Sequence, residues 1–582
     1  MVFKISRNHS RIGSRTWSLV AGVCLGGLLP LMLPRPSVAA ERVTLTYGFL
    51  EVSTSVTSLR TYAETGEASE DIAPYIAFLS AEQQTQLRQA LQARRDIDAV
   101  EMSQFLYSAL GDNILRSAGD IIQTQGRRDG TRALRGALVL AANHPEGLSL
   151  LGVVEEFATN NVRIDAQRAF RVFEGVVGLL EDTENAIAAI ERQQQPISVL
   201  SPSIPALEQL SQPGPYGVVM ETFSLVDRER ARTLPTDIYL PTGLPEGTAA
   251  PVVVFSHGLA GDRKGFIELS EHLASHGYAV AALDHPGSNR DRLEALFEGR
   301  AREVADPTEF SDRPRDVSFL LDELTRQNET NPRLDTRLDL ERIGIIGHSF
   351  GGYTALALAG AQLDFANLQA NCDSNAFIYN AANPSMVLQC SALEAPAQFS
   401  IPLQDERIDT VITLNPVTSS LFGPDGFSQI AIPSLIVTGS EDPLAPALLE
   451  HIEPFTWLDQ SDDYLALIEG GSHLYEPLDV EGAQSTRLGR TLVSSDIPLA
   501  MDYVKAMSLG FLQAQLNQNP VYQNALNDAS IVQIGEPSLP LFIVNTLTEE
   551  MLQPITTEAS PTQQLAPTEL TPSEDQNNGA AQ

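Results

Sequence analysis

A short stretch around Ser349 limits what this chain can fold into more than any other part of the sequence. The apolar residues Ile343–Ile346 run into a turn of small residues, and an alanine-rich segment with helical spacing begins at Tyr353. Gly347, Ser349 and Gly351 fit the pattern G-x-S-x-G, in which glycines let neighbouring backbone pass close to a serine in a strained strand-to-helix turn. Because a strand and a helix flank it, the pattern predicts a nucleophilic serine rather than a structural Gly-Ser turn.

The composition is that of a globular protein with room for two or three domains. The chain has a mass of 63.0 kDa, 43% hydrophobic residues and a formal net charge of −36. Such an acidic chain repels the phosphate backbone of nucleic acids and anionic lipid surfaces. We therefore expect no nucleic-acid partner, and we interpret the acidity as a source of solubility.

Residues 1–40 have the parts of an export signal. A basic stretch precedes an apolar run from Trp17 to Leu33, and Ser37–Ala40 supplies the small residues of a cleavage site. The alternative is an uncleaved membrane anchor, although the run is short for a bilayer span and contains Pro30, with Pro34 directly after it. The pattern predicts a cleaved signal, a secreted or periplasmic protein, and no stable membrane span in the mature chain.

The first part of the mature chain predicts a mainly helical domain. Between residues 41 and 192, apolar residues recur at helical spacing, as they do within Phe170–Leu180, and the start at Arg42–Phe49 reads as a strand. Such stripes are typical of helices that pack in a core, and the alternative is a surface for lipid or a partner. Residues 193–216 are rich in proline, which favours an extended linker.

A second domain at 217–517 alternates strand-like runs with helical ones, after a predicted opening hairpin. The strand-like runs are Val252–Phe255, Ala279–Leu283, Ile343–Ile346, Thr410–Leu414, Leu435–Val437 and Leu465–Ile468. This alternation predicts an α/β domain with a mostly parallel sheet and helices on both faces. A C-terminal extension follows at 518–551, and the composition of 552–582 predicts a disordered tail.

The carboxyl ends of the later strands supply the partners that a nucleophilic serine needs. His473 follows the last predicted strand and is the candidate base, and Asp442 follows the strand before it, in the chain order Ser…Asp…His. Asp442 would hold the imidazole in the required tautomer, and Glu441 and Asp284 compete with it for this role. The other histidines considered are His348 beside the serine, His451 on a predicted helix, and His257 and His285, which are expected to line the pocket.

A glycine-rich segment follows the strand Val252–Phe255. Glycines in residues 256–261 let the backbone turn, so that the amide of Leu259 can face the serine together with the amide of Phe350. Two such donors would form an oxyanion hole, and the loss of one donor typically lowers the rate by about 10²–10³-fold. The alternative is an ordinary glycine-rich turn.

Residues 362–407 are longer than a simple crossover between two strands requires. We predict a cap that shapes the acyl pocket, and the alternative is a surface excursion. The segment contains Cys372 and Cys390, which in an oxidising compartment could form a disulfide worth about 3 kcal/mol rather than remain two free thiols. Neither cysteine has further candidate ligands nearby that would suggest zinc, and the sequence as a whole implies no metal or organic cofactor.

Three longer motifs resemble a known family. FSHGLAG at 255–261, LASHGYAVAALDH at 273–285 and LDLERIGIIGHSFGG at 338–352 make residues 213–517 similar to the α/β-hydrolase fold. Within that fold they resemble the secreted, or group II, platelet-activating-factor acetylhydrolases. The resemblance implies an enzyme that cleaves ester bonds without a cofactor.

The resemblance also implies roles for single residues. It assigns Ser349 as nucleophile, His473 as base, and the amides of Leu259 and Phe350 as oxyanion donors. The chain departs from the acetylhydrolases at Asn415, which stands where they carry their acid, and an asparagine cannot do the electrostatic work of an aspartate. Asp442 stands at the position used by dienelactone-hydrolase-like and polyester-cleaving α/β hydrolases, and we expect it to serve instead.

The amino-terminal part is similar to an uncharacterised helical domain found before α/β hydrolases in cyanobacteria. The likeness rests on Ala40–Leu50, Phe105–Tyr107 and Pro145–Leu148, and it implies an envelope or secreted hydrolase. The sequence as a whole predicts a serine esterase or lipase-like enzyme for a small-molecule ester or a lipid, including lipids with short acyl chains. A peptidase on the same fold and a catalytically idle protein that binds through the helical domain are the alternatives.

Overall fold

The computed structural model describes residues 39–192, 207–334, 337–373, 382–396, 400–476, 491–527 and 536–552. The chain divides into two compact units. The first contains the residues up to Ala99 together with Gly119–Asp165, and the second contains Val100–Ala118 and all residues from Ala166 onward. The expected export signal lies outside the described residues except for its last two alanines, and so does the predicted tail beyond residue 552.

The first unit combines helices with a small sheet. Its strands are β1 (Arg42–Tyr47), β2 (Leu50–Ser55), β3 (Ile122–Gln123) and β4 (Asn161–Asp165), in the order β2-β1-β4-β3. Its helices are Val56–Thr65, Ala73–Ile76, Ala81–Gln92, Thr131–Ala142 and Leu150–Glu155. Ser55, Ser80 and Ser149 each accept a backbone N–H at the start of a helix, as N-cap residues do. The unit is mainly helical as predicted, and the sheet around β1 is an addition to that prediction.

The second unit is built on a nine-stranded sheet with the order β13-β12-β11-β10-β9-β7-β8-β6-β5. The strands are β5 (Gly217–Asp227), β6 (Arg232–Thr242), β7 (Ala250–Ser256), β8 (Ala279–Leu283), β9 (Leu338–His348), β10 (Thr410–Leu414), β11 (Ser434–Gly439), β12 (Tyr464–Ile468) and β13 (Leu541–Val544). Strands β7 to β12 run parallel, whereas β5, β6 and β13 pair antiparallel at the two edges. The C-terminal extension thus adds an edge strand, β13, to the sheet.

Helices cover both faces of this sheet, because the central strands are apolar on both sides. Along β7, Val252 and Val254 pack into one core with Val317 and Leu320 of the helix Glu309–Thr330. The intervening Val253 and Phe255 pack into the opposite core with the helices Ile267–Ser275 and Ile497–Gln515. This architecture confirms the predicted α/β fold class.

The remaining helices lie wholly or for the most part in the second unit, although Ala99 and residues 119–121 belong to the first. They are Ala99–Tyr107, Ala109–Ile121, Ala166–Arg192, Leu207–Leu210, Arg290–Phe297, Phe350–Ala359, Phe365–Asp373, Ser385–Ser391, Ser419–Phe427, Glu453–Phe455, Pro520–Asn527 and Glu549–Leu552, with a 3₁₀ turn at Ala392–Glu394 and a π-helical turn at Leu448–Ile452. None of the helices in the described ranges is both long and apolar enough to cross a bilayer. The composition predicted a domain boundary at 193–216, but the second unit already includes Ala166–Arg192. The domain limits therefore stay a prediction.

The segment at 362–407 carries the two cysteines on two short helices. Cys372 on Phe365–Asp373 and Cys390 on Ser385–Ser391 form a disulfide with a Cα–Cα distance of 5.7 Å. The disulfide joins the first two of the three described parts of the segment, and residues 374–381 and 397–399 lie outside the described residues. Whether the segment caps the acyl pocket stays a prediction.

Candidate active site

Ser349 lies at the turn between β9 and the helix Phe350–Ala359. Its backbone has φ 53° and ψ −117°, a conformation that residues other than glycine rarely adopt. A Cβ atom at Gly347 would lie 2.0 Å from the carbonyl oxygen of Gly351, and one at Gly351 would lie 2.0 Å from that of Ser256. Both positions therefore require glycine, because other backbone segments pass within van der Waals contact of the turn that carries the serine.

Three of the predicted residues meet at the carboxyl ends of β9, β11 and β12. The Oγ atom of Ser349 lies 3.0 Å from Nε2 of His473, and Nδ1 of His473 lies 2.6 Å from Oδ2 of Asp442. The other carboxylate oxygen of Asp442 accepts the backbone N–H groups of Leu444 and Ala445 at 2.8 and 2.9 Å. The aspartate is thus fixed on one side by the backbone and faces the histidine with the other.

The charge on Asp442 defines the tautomer of His473. Burial raises the pKa of Asp442, but the adjacent His473 and the N–H of Ala445 outweigh it and hold that pKa below the usual aspartate range. The ionised carboxylate can only accept, so the hydrogen-bond network assigns the proton of the neutral ring to Nδ1 of His473. Nε2 is then free to accept the hydroxyl proton of Ser349, the arrangement in which a serine can act as a nucleophile.

The two histidines that compete for the role of base are engaged elsewhere. His348 places Nε2 2.9 Å from the backbone oxygen of His473, and burial lowers its pKa to about 3. His451 places Nδ1 2.6 Å from the hydroxyl of Thr438 and Nε2 3.0 Å from the backbone oxygen of Pro416. His348 supports the backbone of His473 and does not contact the serine hydroxyl.

The glycine-rich segment after β7 passes directly beside the serine. A Cβ atom at Gly258 would lie 3.2 Å from Cβ of Ser349. The amide of Ala260 donates to the backbone oxygen of Ser288 at 2.8 Å, and that of Gly261 donates to Gly258 at 3.1 Å. No hydrogen bond among the described residues uses the amides of Leu259 and Phe350. Both predicted oxyanion donors are therefore uncommitted.

His257 and His285, the two pocket candidates from the sequence, are both buried, and their place in an acyl pocket stays a prediction. They are 2% and 0% exposed. The ring of His285 lies between the hydroxyl of Ser256 at 2.9 Å and the carboxylate of Asp316 at 3.1 Å. His257 accepts the amide of His285 at 3.0 Å through Nε2, and its Nδ1 lies 2.7 Å from the oxygen of Gly258. Burial lowers the pKa of both rings well below the usual histidine value, so both are neutral supports of the backbone around the loop.

Asn415, at the end of β10, links the loops that carry the acid and the base. Its Nδ2 donates to the backbone oxygens of Ser472 and His473 at 2.9 and 3.0 Å, and its Oδ1 accepts the amide of Gly439 at 2.9 Å. Sequence reasoning treated this residue only as a missing acid. Its left-handed backbone, with φ 45°, is a conformation that asparagine tolerates better than most residues.

Arg313 is a second residue that sequence reasoning missed. It is fully buried below the loop that carries Leu259. Its position three residues after Phe310 and four before Val317 put it on the apolar face of its helix, which was the available signal. In the described part of the chain, no group of three or more His, Cys, Asp and Glu side chains is placed to hold a metal ion.

Two family models match the chain. Residues 39–165 match the model described as alpha/beta hydrolase of unknown function (DUF1400), and residues 251–364 match the model described as alpha/beta hydrolase fold. The second match contains Leu259, Ser349 and Phe350 but ends before Asp442 and His473.

Among curated proteins, the chain is similar to two kinds of enzyme. It is 26% identical over 144 residues to the platelet-activating factor acetylhydrolase of Canis lupus familiaris, covering 19% of this chain and 32% of the relative. It is 28% identical over 145 residues to cutinase est1 of Thermobifida alba, covering 24% and 41%. It is 26% identical over 177 residues to cutinase cut1 of Thermobifida fusca, covering 29% and 48%. The chain thus matches between a third and a half of the length of these relatives.

Proposed function

Because the chain is a member of the α/β-hydrolase superfamily, we propose that it is a serine carboxylic-ester hydrolase. One observation carries the proposal. Oγ of Ser349 lies 3.0 Å from Nε2 of His473, and Nδ1 of the same ring lies 2.6 Å from Asp442. A serine, a neutral imidazole and an ionised carboxylate in this order are the groups that acyl transfer requires.

The proposed reaction has two halves. Oγ of Ser349 attacks the carbonyl carbon of the ester, its proton passes to Nε2 of His473, and the amides of Leu259 and Phe350 bind the oxyanion that forms. Collapse of this intermediate breaks the bond to the alcohol, which leaves with the proton from His473. A water molecule then repeats the sequence on the acyl-enzyme, releasing the acid and regenerating Ser349. Asp442 stabilises the imidazolium in both halves.

Esters are favoured over peptides by the kinds of relatives found. The names acetylhydrolase and cutinase both denote enzymes that cleave esters. The proposed substrates are small-molecule esters or lipids, including lipids with short acyl chains of the platelet-activating-factor type. The net charge of −36 disfavours anionic substrates and surfaces. A peptidase would use the same triad, and the assay on peptide anilides below distinguishes it from an esterase.

We include export in the proposal. The disulfide between Cys372 and Cys390 supports an oxidising compartment, because such bonds persist in secreted and periplasmic proteins and are rare in the cytosol. Periplasmic fractionation of the full-length chain tests this part. A protein found only in the cytosol, with both thiols free, would contradict it.

The central experiment compares the chain from Ala40 with its Ser349→Ala variant. Both are assayed on p-nitrophenyl esters from acetate to palmitate and on a set of peptide anilides. We expect ester hydrolysis that falls by roughly 10⁶-fold in the variant, with a short-chain optimum. A long-chain optimum would indicate a lipase. Cleavage of the anilides without cleavage of the esters would indicate a peptidase. A wild-type protein that folds, does not turn over any substrate and takes up no fluorophosphonate at Ser349 would refute the proposal.

A further inference from the structure

A single buried guanidinium lies beneath the loop that carries Leu259. Arg313, on the helix Glu309–Thr330, is fully buried. Its Nη2 donates to the backbone oxygen of His257 at 2.7 Å and its Nε donates to the hydroxyl of Ser288 at 3.0 Å. The hydrogen bond to His257 fixes the peptide just before the turn from which the amide of Leu259 projects.

The same guanidinium also contacts the residue that supplies the second oxyanion amide. Cζ of Arg313 lies 4.4 Å from the ring centroid of Phe350, the geometry of a cation–π contact. One side chain therefore touches the backbone beside the first donor and the side chain of the second. The two donors come from loops after β7 and β9, about 90 residues apart in sequence, so their relative position depends on contacts of this kind.

The loop needs such support because its backbone is strained. Ala260 has φ 57°, a left-handed conformation that costs an alanine of the order of 1 kcal/mol. Its amide is held by the backbone oxygen of Ser288, the residue whose hydroxyl also accepts from Arg313. Arg313 and Ser288 thus hold the loop on both sides of Leu259, and weakening them lets the backbone relax.

The charge of Arg313 suits the same role. Burial lowers the pKa of Arg313 to about 10, so the group stays cationic at neutral pH. Its partner Glu309 lies 3.9 Å away, at the edge of ion-pair distance. Because Glu309 and Asp316 stabilise this charge, the guanidinium keeps all of its N–H groups as donors to the loop.

We propose that Arg313 is the positioning residue of the oxyanion hole, and that it aligns the amides of Leu259 and Phe350 through His257, Ser288 and the Phe350 ring. The inference rests on the proposed ester hydrolysis and deepens it. A positioning residue of this kind acts on the transition state more than on bound substrate, so its loss should lower kcat and leave KM nearly unchanged.

The test uses Arg313→Lys and Ser288→Ala in the chain from Ala40. Lysine keeps the charge but cannot reach His257, Ser288 and the Phe350 ring at once. We expect Arg313→Lys to lower kcat on p-nitrophenyl acetate by about 10–10²-fold, with KM changed by less than about threefold, and Ser288→Ala to lower it less. Hydrogen exchange of a peptide spanning 256–265, measured by mass spectrometry, should become faster in both variants.

Arg333→Lys is the matched control. Arg333 also places its guanidinium over a phenyl ring, 4.5 Å from the centroid of Phe223, but it lies in the turn that follows the helix Glu309–Thr330. The Arg333→Lys variant should change neither kcat nor the rate of hydrogen exchange at 256–265. The proposal would be overturned if the folded variants Arg313→Lys and Ser288→Ala kept the wild-type kcat and the wild-type rate of hydrogen exchange at 256–265. If Arg313→Lys does not fold, Ser288→Ala alone decides. If the wild-type chain hydrolyses no ester and Ser349 takes up no fluorophosphonate, the proposed function fails, whereas the exchange data still decide whether Arg313 positions the loop.

Discussion

The side-chain amide of Asn415 donates to the backbone oxygen of His473 across 3.0 Å. The same amide group holds Ser472, and its oxygen accepts the amide of Gly439 on the strand that leads to Asp442. An asparagine both donates and accepts, which an aspartate cannot do when it is ionised. At this position the chain therefore carries a link between the acid loop and the base loop.

We expect Asn415→Asp to lower activity strongly, even though it places a carboxylate beside the loop that carries the base. The variant loses both donated bonds and buries a second negative charge, so kcat on p-nitrophenyl acetate should fall by roughly 10²-fold. Asn328→Asp is the matched control, because Asn328 also bridges backbone, through both polar atoms, at Leu338. Full activity of Asn415→Asp would show that the loops hold their positions without the amide.

Asp442, rather than its neighbour Glu441, should be the acid of the triad. Asp442→Asn can still occupy the site, but the amide no longer stabilises the tautomer and the imidazolium of His473, and a loss of about 10⁴ in kcat is expected. Glu441→Gln should retain activity, because Glu441 is exposed. Steady-state kinetics of the two variants on one ester decide between them, and the reverse result would exchange their roles.

The parts of the site that sequence could predict are those encoded by local pattern. A strand followed by a glycine turn can be recognised within about ten residues, and parallel strands bring their carboxyl ends to one edge. These two facts placed Ser349, Asp442 and His473 at the same edge, where the structure brings their side chains together.

The parts that sequence could not predict depend on partners far away in the chain. A buried arginine on an amphipathic helix has the same local sequence pattern as an arginine whose side chain extends to solvent. Only the hydrogen bond to the loop at His257 shows that Arg313 is of the buried kind. The rings of His257 and His285 are likewise explained by partners from other elements. The sheet of the first unit escaped notice because its strand β4 is only five residues long and pairs with β1 more than one hundred residues earlier.

Removing the disulfide should destabilise the segment at 362–407 without abolishing the fold. In the loop-entropy model, a bridge between residues 18 apart contributes about 3 kcal/mol. Cys372→Ser with Cys390→Ser should therefore lower the melting temperature and expose the segment to limited proteolysis. A reducing agent should have the same effect on the wild type and none on the double variant. Equal melting of the oxidised and reduced wild type would show that the bridge contributes nothing.

Glu450 anchors the same segment to the sheet domain. This fully buried carboxylate accepts the side chains of Asn383, Ser385, Gln389 and Ser419 at 2.6–2.9 Å and the amides of Thr418 and Ser419 at 2.8 and 2.9 Å. Glu450→Gln would turn an amide N–H group toward donors, and we expect a loss of about 3 kcal/mol in unfolding free energy.

Chemical denaturation of Glu450→Gln checks this value, with Glu394→Gln as the control. Glu394 lies on the same segment but is exposed, and its change should leave stability within about 0.5 kcal/mol. A Glu450→Gln protein as stable as the control would mean that these contacts do not hold the segment.

Glu476 gives the protein a defined dependence of stability on pH. Its carboxylate accepts the amide of Phe266 at 2.8 Å, and burial raises its pKa from 4.5 to about 7, with Glu268 and Asp262 acting in the same direction and Lys505 against it. The folded state binds the proton of Glu476 more tightly than the unfolded state does. The contribution of this proton to the free energy of unfolding is therefore fully present below about pH 4.5. It is lost as pH rises to about 7, by up to about 3 kcal/mol.

Glu476→Gln should remove this dependence. The glutamine oxygen can still accept the amide of Phe266, but the side chain no longer titrates. We therefore expect the unfolding free energy of the wild type to fall, relative to that of the variant, between about pH 4.5 and pH 7, and the two curves to run parallel above pH 8. Denaturation series at pH 5, 6, 7 and 8 measure the difference. A wild type that gains stability relative to the variant over this window would show that the carboxyl is ionised in the folded protein well below pH 7.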